Sequence, residues 1–253
     1  MPQITFIDTE VDPKSKKVLD IGGVNDRGEQ FHSNSRSDFI KYLNGEKFVC
    51  GHNIIKHDIP CLEKSLEISF NTASAIDTLY LSPLLFPGKP YHKLLKDDKL
   101  QTDELNNPLN DALKAKDLFF DEVTAFKETD QNLKQIYYLL LKDKKEFSGF
   151  FKYLEYSNKN TGIVELIKEK LKTHICSNVQ IEKLVKENPI ELAYCLALID
   201  TRSRYSITPP WVIKNFPDIE RILYLLRNNP CLLACSYCNQ SLDAKAALKK
   251  YFK

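Results

Sequence analysis

The chain of 253 residues contains no run that approaches the roughly 18 apolar residues a membrane-spanning helix needs. Its opening residues, Met1-Pro2-Gln3, lack the basic region and apolar stretch of a secretory signal. No Gly-x4-Gly-Lys-Ser/Thr occurs, so the phosphate-cradling loop of an ATPase is absent. There is no internal repeat and no low-complexity tract. An excess of one charge is missing too, since 36 basic residues face 34 acidic ones. The imbalance that exists is regional: the N-terminal half is slightly acidic and the C-terminal half mildly basic. That split fits a cation site upstream and a polyanion-binding surface downstream. Seven cysteines without a signal segment point to reduced thiols, a cytoplasmic protein and no membrane partner.

What is present begins as an α/β pattern. "QITFIDTE", "KVLDIGGV" and "GEQFHS" read as three strands, the last two joined by a turn at Asn25-Asp26-Arg27-Gly28. "SDFIKYLNG" reads as a short helix capped by Ser37 or Asp38, with Gly45 just past its end. "KFVCGHN" is a fourth strand, "HDIPCLEKSLEI" a helix, and "SAIDTLYL" a strand end turning into helix. Antiparallel strands followed by strand–helix alternation predict a mixed sheet flanked by helices. From Asn107, an N-cap followed by Pro108 at the first helical position, the pattern turns helical. Apolar residues at helical spacing run from Leu109 to Phe126. Helices are expected around 131–156, 161–173, 179–187, 189–200 and 218–227, with a proline-bearing loop, "RSRYSITPPW", between the last two. The domains are expected at 1–125 and 126–253, the second an all-α accessory region.

Asp8 and Glu10 lie on one face of an apolar strand, where two carboxylates repel. Asp58 opens the helix after "GHN", and Asp111 lies in the first turns of the long helix. Taken singly, Asp58 and Asp111 read as solvated charges. The ordered set resembles the DEDD superfamily of 3′–5′ exonucleases, which includes proofreading exonucleases and oligoribonucleases. Asp-x-Glu on the first strand, Ile21-Gly22 on the second, "GHNIIKHDIP", Asp77-Thr78 and the late Asp111 carry the resemblance. It covers about residues 3–125 and implies an RNase H-like fold. It also implies two Mg²⁺ or Mn²⁺ ions about 3.5–4 Å apart. Asp8 would bridge them, Glu10 and Asp111 would help hold the first, and Asp58 would hold the second through water. Thr9, Val11, His52 and Asn53 would then face the substrate, although His52 and Asn53 also read as positioning or core residues.

The pattern departs from that family at the general base. One branch has His five residues before the last Asp, another has Tyr four before it; here Asn106 and Asn107 stand in those places. An amide cannot take a proton from water at neutral pH. Three readings stay open. The metals alone acidify the water while Asn106 orients it, His92 or His57 reaches in, or the domain binds nucleic-acid ends without cutting them. The absence of Thr-Gly after the first motif, which reads Glu10-Val11-Asp12, also sets the nucleotide pocket apart.

In the helical half, Arg202, Arg204, Tyr205 and Trp211, with Lys214 nearby, combine cations and aromatics as a single-strand grip does; the plainer reading is a connector with a packed Trp. Cys235 and Cys238 are half of a structural Zn²⁺ site, with Cys231 as a further ligand, or else thiols packed in a core. The spacing Cys-x3-Cys-x2-Cys also occurs in radical SAM enzymes, whose barrel does not fit the residues that remain. The last segment resembles the approach to a helicase core in bacterial RecQ-type helicases that carry an exonuclease-like region. The expected partner is single-stranded or 3′-ended DNA, with RNA open, and a fused or associated RecQ-type helicase.

Overall fold

A computed structural model describes residues 3–67, 69–89, 107–158, 162–201, 208–227, 231 and 235–240. The described chain divides into two units. The first holds residues up to 85 together with 107–128 and 142–157; the second holds 129–141 and the described residues from 158 onward.

Five strands form the sheet of the first unit: β1 (Ile4–Val11), β2 (Val18–Asn25), β3 (Gln30–Ser33), β4 (Phe48–Gly51) and β5 (Ala75–Asp77). Their order is β3-β2-β1-β4-β5. β1 pairs antiparallel with β2 and parallel with β4, while β2–β3 is antiparallel and β4–β5 parallel. The β2–β3 turn closes with the Gly28 amide donating to the Asn25 carbonyl at 3.1 Å. Gly28 adopts φ +86°, a conformation that suits glycine.

Both faces of β1 are covered, which is why it reads as an apolar run rather than a clean alternation. On one face Ile7 joins a core with Ile21, Phe39, Ile54, Ile59 and Leu62. Two helices supply part of that core: α1 (Arg36–Tyr42) and α2 (Asp58–Leu66). On the other face Phe6 meets Phe119 and Phe120 at ring distances of 5.5 and 5.8 Å. The unit is completed by α3 (Thr78–Leu85), α4 (Pro108–Glu128) and α6 (Ser148–Tyr153). Phe119 also packs against Phe150 and Tyr153 of α6. A Cβ on Gly149 would lie 2.1 Å from the Ala75 carbonyl oxygen, so only glycine lets α6 approach β5 this closely.

The second unit contains α5 (Gln131–Leu141), α7 (Ile163–Leu171), α8 (Ile181–Glu187), α9 (Pro189–Asp200), α10 (Pro210–Asn215) and α11 (Ile219–Arg227). α9 is buried almost all round from Leu192 to Ala197 and packs against α5, α8 and α11. Lys170 lies 3.3 Å from both Asp130 and Asp200.

Three local expectations are corrected. α1 is capped by Ser35, not Ser37 or Asp38; the Asp38 amide donates to Ser35 Oγ, and that hydroxyl donates to the Asp38 carboxylate at 2.7 Å. The Ser35 amide itself donates to Ser33 Oγ at 3.0 Å, so Ser35 is a simple N-cap. The helical stretch expected over 131–156 breaks at 142–147. Lys142-Asp143-Lys144-Lys145-Glu146 offers no apolar residue to continue a buried stripe, and the units change at this break. The expected proline-bearing loop gives way to α10 at Pro210, where a proline at the first helical position needs no amide partner.

Candidate active site

Side chains alternate along β1, so Phe6, Asp8 and Glu10 share the face that α4 covers. Ile7 and Thr9 take the other. Asp8 and Glu10 are half-buried and Thr9 is buried. Directly across from Asp8 on β2 is Gly22. A Cβ on Gly22 would lie 2.1 Å from the Pro108 carbonyl carbon and the Leu109 nitrogen. The first turn of α4 therefore presses on the bare backbone beside Asp8, and that turn carries Asp111.

The start of α4 is fixed locally as well. Asn107 Oδ1 accepts from the Leu109 amide at 3.0 Å and the Asn110 amide at 3.4 Å. The side chain is thus an N-cap, as its place before Pro108 predicts.

Asp58 arrives from the opposite helix layer. It is 1% exposed. Its Oδ1 accepts from the Thr9 amide at 2.9 Å and from the Thr9 hydroxyl at 2.6 Å. That amide belongs to the peptide joining Asp8 to Thr9, so Asp58 is tied to the backbone between the two β1 carboxylates. His57 Nδ1 lies 3.6 Å from the same oxygen. The bond to Asp58 raises the His57 pKa, and Glu10 adds to the rise against partial burial and Lys16.

The loop leading into Asp58 is held from β5. Asp77 is fully buried and accepts from the amides of Asn53 (2.8 Å), Ile55 (3.1 Å) and Leu79 (3.0 Å). Burial outweighs the pull of the three amides and leaves its carboxyl raised to about 7. Asn53 adopts φ +66°, a left-handed conformation that asparagine tolerates better than most residues. His52 Nδ1 is 2.9 Å from Thr78 Oγ1. A Cβ on Gly51 would meet the Ile7 carbonyl oxygen at 2.6 Å. "GHN" and Asp77-Thr78 thus form one bracket, with His52 and Asn53 as positioning groups within it.

Val11 is half-buried and follows the register shift that ends β1. Asn106 and His92 lie outside the described residues, as do Arg202, Arg204 and Tyr205. Trp211 is half-buried on α10 in the second unit.

Also in the second unit, Cys231, Cys235 and Cys238 are joined by Cys176, which the motif did not reveal. The four Sγ atoms all lie within 4.8 Å of one another and could hold a metal ion such as zinc. Among the described residues, the four carboxylates of the first unit do not form a group this tight. Asp77 and Gly22 were visible in the sequence only as parts of short motifs. Cys176 carried no signal beyond belonging to the set of seven cysteines.

No described helix is long and apolar enough to cross a membrane. No protein-family model matches the chain, and no curated protein or solved structure matches it.

Proposed function

We propose that the first unit is a metal-dependent 3′–5′ exonuclease that hydrolyses phosphodiester bonds at single-stranded or fraying 3′ ends of DNA. The observation that carries this reading is the convergence on the end of β1. Asp58 is bonded to the peptide between Asp8 and Thr9, and the helix bearing Asp111 packs on Gly22, the cross-strand partner of Asp8. The sheet order β3-β2-β1-β4-β5, with one antiparallel and one parallel neighbour for β1, supports an RNase H-like reading of the fold.

The donor set suits hard divalent cations, because Mg²⁺ and Mn²⁺ prefer carboxylate oxygens to thiols or imidazoles. Asp8, Glu10 and Asp111 would hold one ion, with Asp8 shared by the second and Asp58 serving that second ion. Two such ions supply the positive charge that activates water at neutral pH and stabilises the leaving oxygen. The protein's own part is placement. Thr9 orients Asp58, Asn107 anchors the start of the Asp111 helix, and Asp77 fixes the loop before Asp58. A protein general base is not required in this reading. The second unit would guide the strand, through Trp211 and its basic neighbours, or dock a RecQ-type helicase.

A 5′-labelled single-stranded oligonucleotide with Mg²⁺ or Mn²⁺ tests the proposal. Successive shortening from the 3′ end is expected. Binding without shortening would favour the rival reading, a nuclease-like module that positions nucleic acid for a helicase.

A further inference from the structure

We propose that Cys176, Cys231, Cys235 and Cys238 bind one structural Zn²⁺ as a closed tetrathiolate site in the helical unit. Zn–S bonds of about 2.3 Å in a tetrahedron separate the sulfurs by about 3.8 Å. The four Sγ atoms lie mutually within 4.8 Å, and the Cys176 and Cys235 sulfurs are 4.0 Å apart. This is close to the spacing one ion imposes and far beyond the roughly 2.05 Å of a disulfide. A four-iron cluster sets irons and sulfides between its thiolates, which holds them farther apart than a single ion does.

Polar groups beside the cluster offer hydrogen bonds to its sulfurs. The Cys235 amide donates to Cys231, and the Cys238 amide donates to Cys235. Ser177 donates to Cys235 from both its amide and its hydroxyl. The Asn178 amide donates to Cys176, and Asn178 Nδ2 reaches Cys231 Sγ at 3.0 Å. Such donors orient thiolate ligands and offset the net charge of four thiolates on a dication.

Four protein ligands leave no open position for water or substrate, so the site is structural rather than catalytic. Its ligands come from two places. Cys176 follows α7, and its amide donates to the Leu226 carbonyl at the end of α11 at 2.8 Å. The other three lie beyond α11, where the Tyr237 hydroxyl donates to the Arg227 carbonyl at 3.2 Å. One ion would close the chain over α8 to α11 and pin residues 235–240 to that end of the unit. Metal binding would then contribute to folding directly.

Metal analysis of the full chain, purified from zinc-supplied cells under reducing conditions, tests this. One zinc per chain is expected. Cys176→Ser should lose it, whereas Cys195→Ser, a buried cysteine of the same unit bonded to the Ile219 carbonyl, should keep it. If Cys176→Ser does not fold, cobalt exchanged into the wild-type chain decides the ligand set through the intense visible bands of tetrahedral Co²⁺ thiolate. Three results would overturn the proposal: wild-type chain that neither contains nor takes up zinc, iron with matching inorganic sulfide, or a Cys176→Ser variant with its full equivalent of zinc.

Discussion

Gly22→Ala perturbs the proposed active site without touching a carboxylate. The added Cβ would lie 2.1 Å from Pro108 C and Leu109 N and 2.4 Å from Pro108 O. Ordinary contact begins at 3.4 Å, so the start of α4 must retreat by about 1.3 Å. The obstacle is backbone at the capped end of a helix, so no side-chain rotation relieves it. Overpacking of this kind typically costs about 1–3 kcal/mol, and the long contact of α4 with β1 and β2 should preserve the fold. The displaced turn carries Asp111, and a misplacement of about 1 Å at a reacting centre can cost on the order of 100-fold in rate. The expected result is a melting temperature lowered by several degrees, unchanged circular dichroism and a cleavage rate reduced about 100-fold. A fully active Gly22→Ala protein would refute the claim that this close approach positions Asp111.

Asp77→Asn tests the bracket behind Asp58. Burial raises the Asp77 carboxyl from 3.8 to about 7. Its stabilising contribution is therefore complete below about pH 4 and is lost as pH rises towards 7, by roughly 4 kcal/mol at 1.36 kcal/mol per pKa unit. Chemical denaturation of wild type and Asp77→Asn across that range should show the wild type losing its relative stability as pH rises; the opposite slope would mean that the three amides outweigh burial. Asn107→Ala removes the acceptor for the Leu109 and Asn110 amides, and denaturant titration should show a loss of about 1 kcal/mol. No change would mean that other groups satisfy this helix start.

Much of the first unit was legible because its signals are local. The apolar run of β1, the Asn-Asp-Arg-Gly turn and the Asn107-Pro108 helix start each declare themselves within a few residues. The proposed carboxylate set rests on the order of its members along the chain, since Asp58 and Asp111 taken singly read as surface charges. What escaped depends on tertiary contact. Nothing near Gly22 in sequence says that a helix more than eighty residues later needs its missing side chain. Asp77 reads as a strand-end acid until the amides of Asn53 and Ile55 arrive beside it. Cys176 lies far upstream of the Cys231 motif, and the fold brings them together by bonding the Cys176 amide to the Leu226 carbonyl of α11. The break at 142–147 shows composition overriding helix propensity, since a charged run good for a helix has no apolar face to bury.

The most direct test of the central claim is the cleavage rate of Asp8→Asn beside wild type on the same 5′-labelled single strand, at saturating Mn²⁺ and matched folded fraction. Asparagine keeps the shape of the side chain and removes its charge. The account predicts 3′-end shortening by wild type and its loss, by at least about 100-fold, in Asp8→Asn. Equal shortening by the two proteins would contradict the assignment of this carboxylate set as the cleavage site.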